Sequence, residues 1–379
     1  MAVGVNQFGW IVGTADTPKK DSDGDPIGHA FLWRDGQMLD LGTLGGKESE
    51  ATDIDAQGRV VGSAETKLKD ASGDGVSHAF LWEDGAMQDL GSLGRRARAS
   101  EAYQINGRRQ VVGAADVQVA GTANDPPYYH AFLWEDGRMR DLGTLKGGLS
   151  EAVAINDQGQ IVGTGRIGYL VGTFYETEAF LWAKGRMRSL GTLGGPYSKA
   201  SDINERGQIV GSAQPAKSTH YEDPVVAFLW HRGRMRGLGT LGGPSSDAQA
   251  INGRGWVVGR ADTAKRDMRG DPISHAFLWR NGRMLDLRRV ALAPGFGGAF
   301  TIDLNQRGWV AGTEETTRRD KNGDPISRAY VWLNGKSIQL ATLGRASTSA
   351  EAINDNGQVV GWATTTSGER HAVIWEPRP

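Results

Sequence analysis

His78-Ala79-Phe80-Leu81-Trp82-Glu83-Asp84-Gly85 decides the fold of this chain. Five residues without a polar break, other than the leading His, are followed at once by an Asp-Gly pair. An apolar run of this length bounded by a turn signal reads as a short strand buried on both faces. Asp-Gly beside such a run is a hairpin signal, because tight hairpin turns need residues that accept a positive φ. The phrase recurs about every 50 residues. Its tryptophans are Trp33, Trp82, Trp134, Trp182, Trp230, Trp279, Trp332 and Trp375, which gives eight copies.

Two further phrases keep fixed places around it. An Ile-Asn-x-x-Gly-x-Val-Val-Gly phrase comes first, marked by Val5-Asn6, Ile54-Asp55, Ile105-Asn106, Ile155-Asn156, Ile203-Asn204, Ile251-Asn252, Leu304-Asn305 and Ile353-Asn354. Asp-Leu-Gly-Thr-Leu-Gly-Gly follows most copies, as at Asp40 to Gly46, but degrades at Leu287-Arg288-Arg289 and is missing from the eighth copy. In the second copy these phrases predict strand a over 50–54, strand b over 60–64, strand c over 78–82 and strand d over 87–90. No segment carries a helical period.

Four-stranded meanders repeated at this length predict an all-β, eight-bladed β-propeller of antiparallel blades forming a single domain over 1–379. With strand a innermost, only the last blade is incomplete, with three strands. The predicted first-to-last junction then rests on side-chain packing rather than a swapped strand.

The three phrases in this order resemble the bacterial HAF repeat family, described as a probable extracellular repeat. The resemblance spans essentially the whole chain and implies a propeller-like scaffold that is secreted or periplasmic, with no family-wide reaction. The leading His is replaced at Glu178, Val226 and Arg328. The start Met1-Ala2-Val3-Gly4 has no basic stretch and no apolar h-region, which leaves a cytoplasmic location open.

Composition excludes several classes of function. With 43 basic and 44 acidic residues the net charge is −1, which argues against nucleic acid as a partner. No run of 18 apolar residues exists to span a membrane. The absence of cysteine removes disulfides and Cys-based zinc sites. The 55 glycines follow no Gly-X-Y triplet, so they are turn residues rather than collagen. No nucleophile elbow, P-loop, dinucleotide fingerprint or zinc-protease signature is present. The chain is expected to be a monomer.

Candidate sites lie where the repeat is broken. The a–b and c–d turns are short and alike between copies, whereas the b–c loops vary, and variable loops on a rigid scaffold carry function. Copies three to five bring Tyr128, Tyr129, Tyr169, Phe174, Tyr175, His220 and Tyr221 there. Aromatic residues with polar tips suit ligand recognition, and equally suit the packing of a long loop on itself. The residue opening strand a changes from copy to copy: Glu50, Glu101, Glu151, Lys199, Asp247, Phe300, Ser349. Glu101, Glu151, Lys199 and Asp247, with Arg95 and Arg96 of a d–a loop, are the expected charged support of a pocket. The predicted function is a recognition propeller for a glycan, peptide or small metabolite near the axis. The alternatives are a lyase, hydrolase or cyclase using Tyr, His and carboxylates there, and a purely structural module.

The Asp-x-Asp/Asn-Gly-Asp loops resemble half a calcium loop. Asp21, Asp23, Asp25 and Asp320, Asn322, Asp324 are the candidate calcium ligands, expected to bind weakly because no bidentate Glu follows and Arg269 takes the middle place in one copy. No other cofactor is expected. The leading histidines His29, His78, His130, His275 and His371 are read as repeated structural hydrogen bonds.

Overall fold

The computed structural model of the chain describes residues 1–70, 72–93, 99–117, 128–146, 148–169, 175–220, 222–267, 269–291, 303–320, 323–344 and 347–376. Among them every regular element is a β-strand, and no helix is long and apolar enough to cross a membrane. The chain divides into two compact units, Phe8–Ser189 and Met1–Gln7 with Leu190–Pro379.

Within Phe8–Ser189 the second copy forms strands Gly45–Ile54, Val60–Lys69, Gly75–Glu83 and Ala86–Asp89, and the third forms Ser100–Ile105, Val111–Val117, Tyr128–Glu135 and Arg138–Asp141. Both are antiparallel meanders hydrogen-bonded in the order a-b-c-d. In the other unit the sixth copy repeats this with Gly242–Ile251, Val257–Arg266, Pro272–Arg280 and Arg283–Ala291. The eighth copy has three strands, Thr348–Ile353, Val359–Thr364 and Arg370–Trp375. The N-terminal strand Ala2–Val5 packs on the first two of these. Asn354 Nδ2 also donates to the Asn6 carbonyl at 2.9 Å, and Asn356 Nδ2 to that of Gln7 at 2.7 Å, so hydrogen bonds join the expected packing there.

Strand c explains why its phrase is apolar throughout. Side chains alternate faces along a strand. Phe132 and Trp134 pack toward the second copy, against Leu81 and Ala79. Ala131 and Leu133 point the other way, into Phe180 and Trp182 of the fourth. The sheet of the third copy is therefore covered on both faces by its neighbours in this unit, and Ala79, Phe80, Phe132 and Phe180 are fully buried.

The arms of the b–c hairpin are longer than the sequence predicts. In the second copy strand b runs on to Lys69 and strand c begins at Gly75, because Lys69 pairs with Gly75 and the Thr66 hydroxyl donates to the Val76 carbonyl at 2.8 Å. What reads as a polar loop is mostly solvated strand, closed by the short turn at Asp70.

Candidate functional site

The site begins with a backbone irregularity. In the third copy Ala102 pairs with Gly113 but Gln104 pairs with Val112, so Tyr103 is an extra residue in strand a. Such a bulge bends the strand and re-aims its side chains. The same shift falls at Thr52 in the second copy and Val153 in the fourth. Strand b accommodates it with glycine: a Cβ on Gly113 would stand 1.9 Å from the Glu101 carbonyl oxygen, and Gly62 and Gly163 are as tightly placed against Glu50 and Glu151. The glycine of the Val-Val-Gly phrase thus lets strand b lie against the residue that opens strand a.

Glu50, Glu101 and Glu151 come together in one cavity of about 570 Å³ within the Phe8–Ser189 unit. Tyr103, Tyr129, Thr164, Arg166 and Thr177 share its wall, with Ala99, Ala114 and Leu149 as apolar lining. The Ser63 hydroxyl donates to Glu50 Oε1 at 3.3 Å, and the Tyr103 phenol and the Glu101 carboxyl share the same wall. Burial pushes the Glu101 carboxyl above its ordinary range, and the charge of Glu50 and then of Glu151 adds to the rise, while the neighbouring Tyr103 hydroxyl opposes it. The Tyr103 hydroxyl is pushed up by burial and then by Glu101 and Glu151. Tyr129 rises by burial, Asp116 and Glu101. Arg166 is the one basic side chain in the described wall, and it is buried.

Of the expected site residues, the structure brings Glu101, Glu151 and Tyr129 into this cavity. Tyr128 is half-buried at the start of strand c and does not line it. Tyr169 and Tyr175 face each other as backbone partners at the tip of the fourth copy's b–c hairpin. In the other unit Lys199 Nζ lies 3.5 Å from Asp247 Oδ2. His220 sits exposed in a turn, its Nδ1 at 2.8 Å from the Thr219 hydroxyl and its backbone N–H on Asp223. Arg95, Arg96, Phe174 and Tyr221 lie outside the described residues. The cavity draws on copies two to four.

Tyr103 and Arg166 are the residues the sequence reading missed, and the signal was the repeat itself. Arg166 follows Gly163 by three places, where other copies have Asp16, Glu65, Asp116, Asp262 and Glu315. Tyr103 stands where other copies have Thr52, Val153, Ser201 and Gln249. Both break the pattern in strands that read as scaffold.

Four of the five leading histidines make one repeated hydrogen bond, whereas His371 is exposed with its Nε2 3.9 Å from Glu369. Nδ1 of His29, His78, His130 and His275 lies within 3.1 Å of Asp40, Asp89, Asp141 and Asp286, each eleven residues on. In the first three of these copies that aspartate opens the Asp-Leu-Gly phrase, and in the sixth it precedes Leu287-Arg288. Where the His is replaced its partner changes too: Glu178 accepts from the Ser189 hydroxyl, and Val226 meets Gly237.

In the candidate calcium loops the first carboxylate serves the backbone. Asp21 Oδ1 accepts from the N–H groups of Asp23 and Asp25, both at 2.9 Å. Asp267 does the same for Arg269 and Asp271, and Asp320 accepts from Asp324. Asn322 lies outside the described residues. Among the described residues no group of three or more acidic or His side chains is gathered for a metal.

No family model matches the sequence, and no curated protein matches it. Among solved structures the chain is similar to the β-propeller domain of the Trilobed protease from Pyrococcus furiosus, which has an open velcro topology: TM-score 0.52, 9% identity, covering 89% of this chain and 93% of that one. It is similar to acylaminoacyl peptidase from Pyrococcus horikoshii, with TM-score 0.52 and 12% identity over 96% of this chain. It is also similar to a puromycin hydrolase, with TM-score 0.51 and 14% identity over 99% of this chain. It spans 58% and 51% of those two enzymes' lengths. At such identities the likeness is one of fold, and it agrees with the four-stranded antiparallel sheets: the chain is a β-propeller.

Proposed function

We propose that the chain is a ligand-recognition propeller whose binding site is the cavity lined by Glu50, Glu101, Glu151 and Arg166. The observation that carries this reading is the convergence of three carboxylates from consecutive repeats in one concave space of about 570 Å³. That volume is in the range of small-molecule sites, and an apolar wall with few convergent polar groups is their usual chemistry. The ligand class is a small metabolite, or one end of a glycan or peptide. The test is a ligand screen on the full chain by NMR, repeated with Tyr129→Ala. Tyr129 is partly exposed at the rim, so its loss should weaken binding by roughly 1–3 kcal/mol and leave the melting temperature unchanged. A ligand found instead on the short turns at Gly58 or Gly85 would overturn the reading.

An enzymatic reading is favoured by one observation, the placing of the Glu101 carboxyl and the Tyr103 phenol in the wall of one cavity. A carboxyl raised by burial and set beside a phenol can move a proton to or from a bound substrate. In that case Glu101→Gln abolishes turnover while binding persists. If turnover survives that substitution, Glu101 is not the proton-transfer group.

A further inference from the structure

We propose that the ligand of this cavity is a cationic amine, a primary ammonium or guanidinium carried on a short apolar stem. This deepens the recognition reading and rests on it. Four observations carry it. First, the described wall sets Glu50, Glu101 and Glu151 against the single base Arg166. Second, the carboxylates are close enough that Glu50 and Glu151 both raise the Glu101 carboxyl. A cation seated among them relieves this repulsion, whereas a carboxylate or phosphate would add to it and a neutral sugar would leave it in place.

Third, the wall has acceptors to spare. A carboxylate offers about four lone-pair sites. Ser63 occupies one on Glu50. An ammonium or guanidinium brings only donors, three or five of them, which the carboxylate oxygens can accept. Fourth, Ala99, Ala114 and Leu149 provide apolar surface for a methylene stem, and the phenol rings of Tyr103 and Tyr129 provide π faces that attract cations.

The test is calorimetric titration of the full chain with agmatine, cadaverine and lysine amide, beside neutral glucose and anionic glutarate. At least one amine should bind roughly tenfold more tightly than glucose or glutarate, and added salt should weaken it. Glu101→Gln and Glu151→Gln should each cost about tenfold in amine affinity with the melting temperature held, and Glu50→Gln serves if either variant fails to fold. Failure of every amine to bind overturns the proposal. Amine binding indifferent to the Glu→Gln substitutions overturns it as well, since it places the cation elsewhere. Glucose or glutarate binding weakened by Tyr129→Ala, with no amine bound, would overturn the cation and leave the cavity as a ligand site.

Discussion

Asn305 performs three structural tasks with one buried side chain. Its Oδ1 accepts from the N–H groups of Arg307 and Trp309, both at 3.0 Å, which closes the a–b turn. Its Nδ2 donates to the carbonyl of Asn354 in the next copy at 3.0 Å. Asn106, Asn204, Asn252 and Asn354 likewise reach Asn156, Asn252, Asn305 and Asn6. The second copy tests this logic, because Asp55 has no amide hydrogen to donate. There Asp55 still caps the turn, and Arg59, paired with it, donates instead to the Gly107 carbonyl at 3.1 Å. Asn305→Ala leaves two backbone N–H groups and a carbonyl without their partner, and should cost about 1–3 kcal/mol in denaturant unfolding. Asn305→Asp keeps the cap but not the donor, and should fall between alanine and the native protein. Equal stability of all three would remove the asparagine from any inter-repeat role.

At the scale of elements, the strand-a bulge and the strand-b glycine form one device. Gly113→Ala puts a methyl group 1.9 Å from the backbone oxygen of Glu101, which no side-chain rotation can relieve. The expected loss is about 1–3 kcal/mol, together with weaker ligand binding because Glu101 and Tyr103 are displaced. Unchanged stability would mean that the close approach does not exist in solution. The b–c turns give a second prediction. The Asp21 and Asp267 carboxylates cap backbone N–H groups in the same way whether Asp23 or Arg269 follows. Chelator should therefore leave the melting temperature unchanged, and a drop would show that calcium holds these turns. The same elements show what a sequence can reveal. Val-Val-Gly and His-Ala-Phe-Leu-Trp were legible because burial on both faces forces an apolar spelling. The outer b–c arms were not, because a solvated strand such as that ending in Thr66, Lys67, Leu68 and Lys69 spells like a loop. Glu101 and Glu151 stood out as variable charges at a fixed place, whereas Tyr103 and Arg166 were hidden in strands whose neighbours are structural.

For the whole molecule, the carboxyls that join repeats set the response to pH. Asp53, Asp202 and Asp303 each accept the N–H of the core Ile one repeat on, Ile105, Ile251 and Ile353, at 2.8–3.0 Å. Burial is the main cause that raises them, to about 6 for Asp53, about 7 for Asp202 and about 6 for Asp303, above the ordinary 3.8. A carboxyl raised on folding binds its proton more tightly in the folded chain. Its contribution is therefore fully present below pH 3.8 and is lost as pH rises through 6 to 7. Asp89 and Asp141 shift the other way. Burial opposes the shift, but hydrogen bonds from His78 and His130 and from the backbone of Gly91 and Gly143 hold them low. Their contribution is present above pH 3.8 and disappears as pH falls below it. The melting temperature should thus peak at about pH 4, decline up to about pH 7 and level off toward pH 8, with a loss on the order of 1 kcal/mol or more per raised carboxyl. The repeats supply the control. Gln104 occupies the equivalent place in the third copy and accepts the Ile155 N–H at 2.7 Å without a charge. Asp202→Gln should keep that acceptor, flatten the decline between about pH 4 and 7, and make the protein more stable at pH 8 than the native chain. If the variant shows the same slope as the native protein over that interval, the buried carboxyl at Asp202 is not what the alkaline limb reports.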